Sequence, residues 1–162
     1  MNKNIIVKIK KNEKNKTVST WNNKEYLLNP LNHISIVNRL YLNETFEGSK
    51  SAQKHINKKI SSYKQQDVKK NKLSIENFIK QEELLEKLVI SKLKCYYCRN
   101  KVLLFYENKR ENTQWTLDRL DNSIGHNKDN VVICCLKCNL ERRCKNNEKF
   151  LFTKQMKIIK ME

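Results

Sequence analysis

Two cysteine pairs set the first chemical expectation. Cys95-Tyr-Tyr-Cys98 and Cys135-Leu-Lys-Cys138 each hold two residues between their sulfurs. That spacing lets both thiolates of a pair face one ion at a Zn–S distance of about 2.3 Å, closing one edge of a tetrahedron. Two such pairs make a four-sulfur set with no open position, so the metal expected is a structural zinc and not a catalytic one. A redox dithiol is the other reading of a single pair, but no thioredoxin-like βαβ pattern surrounds either. Cys134 ends the apolar run Val-Val-Ile-Cys and reads as a small buried strand residue, while Cys144 reads as packing. Using Cys134 in place of Cys135 would leave three residues between the sulfurs of the second pair.

The span between the pairs carries Asp118-Arg119, Gly125-His126, Asn130 and, directly after Cys138, Asn139. An acid, a guanidinium, an imidazole and two carboxamides are either the turn residues of a zinc knuckle or a site that the zinc holds in place. Around them, residues 114–120 alternate, with Trp115, Leu117 and Arg119 on one side and Thr116, Asp118 and Leu120 on the other, which predicts a strand. Asn122, Gly125, Asn127 and Asp129 predict a turn, with Asp121 and Asn122 building it. Residues 130–135 predict a second, more buried strand, and residues 136–150 a helix carrying Arg142 and Arg143. Strand, loop, strand and helix, with zinc at both ends, form a ββα unit.

The rest of the chain must position that unit. Residues 48–70 predict a helix, capped by Ser49 or Ser51, in which Ile56, Ile60 and Tyr63 recur at helical spacing. Its lysines Lys54, Lys58, Lys59 and Lys64 suit either a solvated face or a phosphate backbone. A second helix is predicted over about residues 75–92, with Ser74 as N-cap, Glu76, Glu82 and Glu83 early and Lys87 and Lys92 late. Residues 17–48 hold apolar material without an assignable pattern, and residues 1–16 read as an edge strand or a basic arm. His33 and His55 have no partner pattern. The fold class expected is α+β: a basic, mainly helical N-terminal region over residues 1–92, then a zinc-stapled ββα domain over residues 93–162.

The chain has 34 Lys+Arg against 17 Asp+Glu, a formal net charge of +17, so the partner to expect is a polyanion and above all nucleic acid. No apolar run approaches the ~20 residues that cross a bilayer. The N-terminal residues have no apolar core of signal-peptide length and no small-residue cleavage site. An intracellular chain, in the cytoplasm or nucleus, is expected, which again favours metal ligation over disulfides.

Over about residues 95–145 the chain resembles the HNH endonucleases of the ββα-metal superfamily, in the order CYYC, LDRLDNSIGH, DNVV, CLKCN. The longer phrase from Gln114 to Arg143 is similar to HNH-type proteins of large DNA viruses and phages, which would place the protein in a host cell. The resemblance implies that Asp118 is the metal-binding acid at the end of the first strand. It implies that Asn130 ties down the loop and that Asn139 completes a catalytic metal site. One carboxylate, one amide oxygen, waters and a phosphate oxygen would suit Mg²⁺ or Mn²⁺. The chain departs from the family at one place. Arg119 stands where the family has the general-base histidine, and a guanidinium cannot take a proton at neutral pH. Arg119 would clamp the scissile phosphate, and the base would be His126 or, less favoured, Tyr106 on the VLLFYE segment. Arg142, Arg143 and Lys145 would meet phosphates. The expected activity is metal-dependent hydrolysis of phosphodiester bonds in DNA, duplex first, and double-strand cutting by one site per chain would favour a homodimer. The other reading is a zinc-stabilised DNA- or RNA-binding protein without catalysis, with Asp118 serving as an ion-pair partner or a turn cap.

Overall fold

A computed structural model describes residue 21 and residues 23–156; the expectation for residues 1–16 lies outside them. The fold is mixed α+β. Helices α1 (Lys24–Leu28), α2 (His33–Tyr41), α3 (Ser49–Lys69) and α4 (Gln81–Ile90) come first. The first cysteine pair, strand β1 (Trp115–Arg119), strand β2 (Val131–Cys135), α5 (Leu136–Arg142) and α6 (Asn147–Gln155) follow. β1 and β2 pair antiparallel, with Trp115 opposite Cys135 and Asp118 opposite Val132.

One hydrophobic cluster runs from Leu27, Ile36 and Leu40 through Ile56, Leu84 and Leu88 to Trp115, Ile133 and Phe150, so it crosses position 92 without a break. The unassigned residues 17–48 include α1 and α2, which pack through Leu27, Ile36, Val37 and Leu40. His33, to which sequence assigns no role, joins the two halves. Its Nε2 donates to the Leu27 carbonyl at 2.9 Å, and its Nδ1 accepts the Leu104 amide at 3.1 Å. One donor and one acceptor fix the neutral tautomer, and burial holds its pKa below the usual value.

Three helix boundaries differ from the sequence expectation. Helix α3 starts where expected, but its N-cap is Gly48 at φ 89, a conformation that suits glycine. Helix α4 starts at Gln81, not near residue 75. Ser74 caps only a single turn, accepting Phe78 N at 2.8 Å, because Phe78 then bridges to Asn127 and leaves the helical path. The true start is marked by the Lys80 amide donating to the Glu83 carboxylate at 2.9 Å. The far end stops at Ile90, since Lys92 and Leu93 take φ of 50 and 51, strain that the burial of Leu93 offsets. The single helix expected over residues 136–150 is two, broken at Arg143 (φ 50), with Asn146 capping α6 by accepting Lys149 N at 3.1 Å.

Strand β1 is buried on both faces, whereas its alternating sequence predicts one exposed face. α5 covers the face bearing Thr116 and Asp118. α3 lies along the edge that β2 leaves free: Tyr63 Oη accepts Leu117 N at 3.0 Å, and Lys59 Nζ donates to the Trp115 carbonyl. Side chains thus satisfy backbone groups that an open edge would expose to another strand. Lys59 therefore lies neither on a solvated face nor on a phosphate-facing one, the two readings its sequence allows. It sits 4.1 Å from the centre of the Trp115 ring, and burial lowers its pKa to about 7. Lys54, Lys58 and Lys64 stay exposed.

Candidate functional site

The metal centre is built from two turns. In the first, the Arg99 amide bonds the Cys95 carbonyl at 3.0 Å, the Cys95 amide bonds the Asn100 carbonyl at 2.9 Å, and Arg99 takes φ 61. The Tyr96 amide ties this turn to β2 through the Ile133 carbonyl at 2.8 Å. In the second, Cys135 is the N-cap of α5, its sulfur accepting the Cys138 amide at 3.4 Å. The sulfurs of Cys95, Cys98, Cys135 and Cys138 all lie within 4.8 Å of one another. Cys98 and Cys135 are 4.0 Å apart, against about 3.8 Å for the edge of a tetrahedron with 2.3 Å Zn–S bonds. These four cysteines are positioned to hold a metal ion such as zinc.

Cys95, Cys135 and Cys138 do not ionise independently. A hydrogen bond from Cys135 draws the Cys95 pKa down, while burial and the Cys95 charge push that of Cys138 up. A divalent cation among them favours the thiolate at every position. Cys134 stays out of the cluster: it is buried beside Thr116, 3.2 Å from its hydroxyl, and burial raises its pKa. Cys144 is exposed and does not pack in the core as expected.

The polar residues between the pairs separate into two groups. Asp118 belongs to the first. Asn139 and Arg142, three apart on α5, share a helix face, and that face meets Thr116 and Asp118, two apart on β1. Arg142 Nε and Nη2 bond the two Asp118 oxygens at 2.5 and 3.0 Å, and Tyr97 Oη donates to Oδ2 at 2.6 Å. Arg142 also reaches the carbonyls of Arg119 and Lys145. It is 1% exposed, so it lies in the core and not on the phosphate-facing surface expected of it. Asn139 donates to Thr116 Oγ1 at 3.1 Å and to the Leu117 carbonyl at 3.2 Å, holding α5 on β1. Asp118 and Asn139 in this arrangement do not fit an open oxygen site for Mg²⁺ or Mn²⁺, because Arg142 and Tyr97 already occupy both carboxylate oxygens.

The second group surrounds the β1–β2 loop. Asn130 spans it with three hydrogen bonds, donating to the carbonyls of Asp121 and Gly125 at 2.9 and 3.0 Å and accepting the Asp121 amide at 2.9 Å. Arg119, on the opposite side of β1 from Asp118, donates to the Ile124 carbonyl at 3.3 Å. His126 is held by Asp67 of α3: Nδ1 meets Oδ1 at 2.7 Å, and the His126 amide donates to Oδ2 at 2.6 Å. The Tyr63 ring packs on it at 4.7 Å. Burial lowers the His126 pKa, Asp67 opposes that shift, and the charges of Arg119 and Lys70 reinforce it. Tyr106 lies apart, its ring against His55 and Lys59, and burial raises its phenol pKa further. Arg143 and Lys145 are exposed.

Sequence reasoning missed Asp67, Tyr63 and Tyr97. Asp67 left one usable signal. It is the only acid of α3 and stands in its last turn, where the helix dipole disfavours a negative charge, so it needs a partner. Gly125 allows the approach: a Cβ there would lie 2.4 Å from the Lys72 carbonyl and 2.7 Å from Asp67 Oδ2. Gly125→Ala is expected to destabilise the chain by about 1–3 kcal/mol, read as a lower urea midpoint at unchanged slope. No family model, curated protein or solved structure matches the chain.

Proposed function

We propose that the protein is an endonuclease that hydrolyses phosphodiester bonds in DNA on a ββα unit stapled by a structural metal. The observation that carries this reading is the Asp67–His126 pair beside Arg119. A carboxylate on Nδ1 fixes the imidazole's orientation and directs its other nitrogen to a proton, the arrangement of a general base. Arg119 next to it supplies a charge for the phosphate. The exposed Arg143, Lys145 and Lys149 line a cleft of about 1010 Å³ between α5 and α6 that suits a phosphate backbone. Mg²⁺ or Mn²⁺ dependence belongs to the resemblance alone, because Arg142 and Tyr97 take both oxygens of Asp118.

Purified protein with supercoiled plasmid, with and without Mg²⁺ or Mn²⁺, tests the reading. Wild type is expected to nick, and His126→Asn to lose about 10²-fold or more of the rate while binding DNA unchanged. Because His126 is held below the usual 6.5, it is neutral at pH 7, so the rate should fall only as pH drops below that value. Absence of nicking under all conditions, or full activity in His126→Asn, defeats the proposal. A second reading, a non-catalytic nucleic-acid-binding protein, is favoured by the closed Asp118–Arg142 pair and by His126 being 4% exposed.

A further inference from the structure

A second basic groove lies away from the α5–α6 cleft, where the end of α4, the first cysteine turn and β2 meet. Its volume is about 340 Å³, at the lower end of the roughly 300–1,000 Å³ typical of small-molecule sites. Lys87 comes from α4, Lys94 from the segment leading into the turn, and Arg99 from its end, with Tyr96 between them, the buried Val131 and Ile133 as apolar floor and Ile90 exposed at the rim. Among the described residues, no acidic side chain lines it. The C-terminal end of α4 brings about half a negative charge to the rim, which three full cations outweigh. Tyr96 is half-buried and fixed: its amide is bonded to Ile133, and its ring meets the Tyr97 ring edge-on at 5.2 Å. The Arg99 guanidinium lies over the Tyr96 ring, 5.9 Å from its centre, and the Arg99 backbone takes a left-handed φ of 61.

Fixed aromatic ring, apolar floor and converging cations are what one unit of a single strand needs, a base to stack and phosphates to neutralise. A duplex, with its bases already stacked, has no use for the ring. We propose that this groove binds one nucleotide unit of a single-stranded nucleic acid, the base on Tyr96 and the flanking phosphates on Lys87, Lys94 and Arg99. The proposal rests on the nucleic-acid part of the function above and is independent of hydrolysis.

The test is fluorescence anisotropy of the full chain, metal-loaded, with a labelled 15-mer of thymidine and a 15-bp duplex. Tyr96→Ala is expected to weaken single-strand binding about tenfold or more, Tyr96→Phe to keep it within about twofold, and duplex binding to change little in either. Lys94→Ala should lower the slope of log K against log salt by about 0.7 for the single strand. Metal content and thermal midpoint of each variant show that the cysteine turn survives. Equal single-strand binding by wild type and Tyr96→Ala, or duplex binding alone, overturns the groove and leaves the endonuclease reading standing. Binding of neither probe overturns both. Displacement of the 15-mer by thymidine monophosphate at equal nucleotide concentration shows a free-nucleotide pocket and also overturns the strand assignment.

Discussion

Cys138→Ser is expected to leave the chain without a stable fold at ordinary temperature. The four sulfurs join the first cysteine turn, which reaches β2 through Tyr96, to the N-terminus of α5, so a metal held there would bridge segments about forty residues apart. Binding at such sites contributes about 10–16 kcal/mol, comparable to the 5–15 kcal/mol net stability of a whole domain. Loss of one thiolate, or removal of the ion by a strong chelator, should abolish the cooperative unfolding transition seen by circular dichroism. Two controls sharpen the result. Cys144→Ser, exposed, should stay within about 0.5 kcal/mol of wild type. Cys134→Ser should cost about 1–3 kcal/mol for a hydroxyl in a buried site yet retain one metal per chain. If Cys138→Ser keeps metal and stability while Cys134→Ser loses the ion, the ligand set is wrong.

Arg142→Met carries the second large effect. Removing the guanidinium leaves Asp118 buried with Tyr97 as its remaining side-chain partner, and breaking a buried pair from one side costs about 3–5 kcal/mol. Asp118→Leu alone leaves the arginine charge buried, a similar loss. The double variant should recover much of both, because two apolar groups need no partner, and the coupling is read from a double-mutant cycle in urea. A loss below about 1 kcal/mol for Arg142→Met would mean that the side chain is free in solution. It would also return Asp118 to the list of available metal ligands.

What could be read from the residues alone was local. The period-2 pattern of residues 114–120 and the apolar run before Cys135 locate β1 and β2 to within about a residue, and the paired cysteines locate the metal centre. What escaped depends on contacts far away in sequence. Ser74 is a good cap for a helix start and does cap a turn, but Phe78 answers instead to Asn127. Arg142 looks like its exposed neighbour Arg143 in any local window; only the register of α5 on β1 turns one toward Asp118 and the other to solvent. Tyr97 reads as spacer between two ligands, yet its hydroxyl completes the Asp118 cluster. The residues of the resemblance are therefore present in sequence order, while their side chains divide between the two sides of β1.

The clasp of α3 on the β1–β2 loop also bears on the order of assembly. The strands of the hairpin are joined by a short loop, whereas Tyr63–Leu117 and Asp67–His126 close loops of 54 and 59 residues, and His33–Leu104 one of 71. Short loops close within tens of nanoseconds, and long ones must lose more chain entropy before any contact repays it. The hairpin is expected to form first, the two cysteine pairs, about forty residues apart, to meet next, and α3 to dock later. A nascent chain would then bring its four sulfurs together before its histidine meets a carboxylate, so the His126 site would be completed last, by a helix synthesised long before the loop it orients.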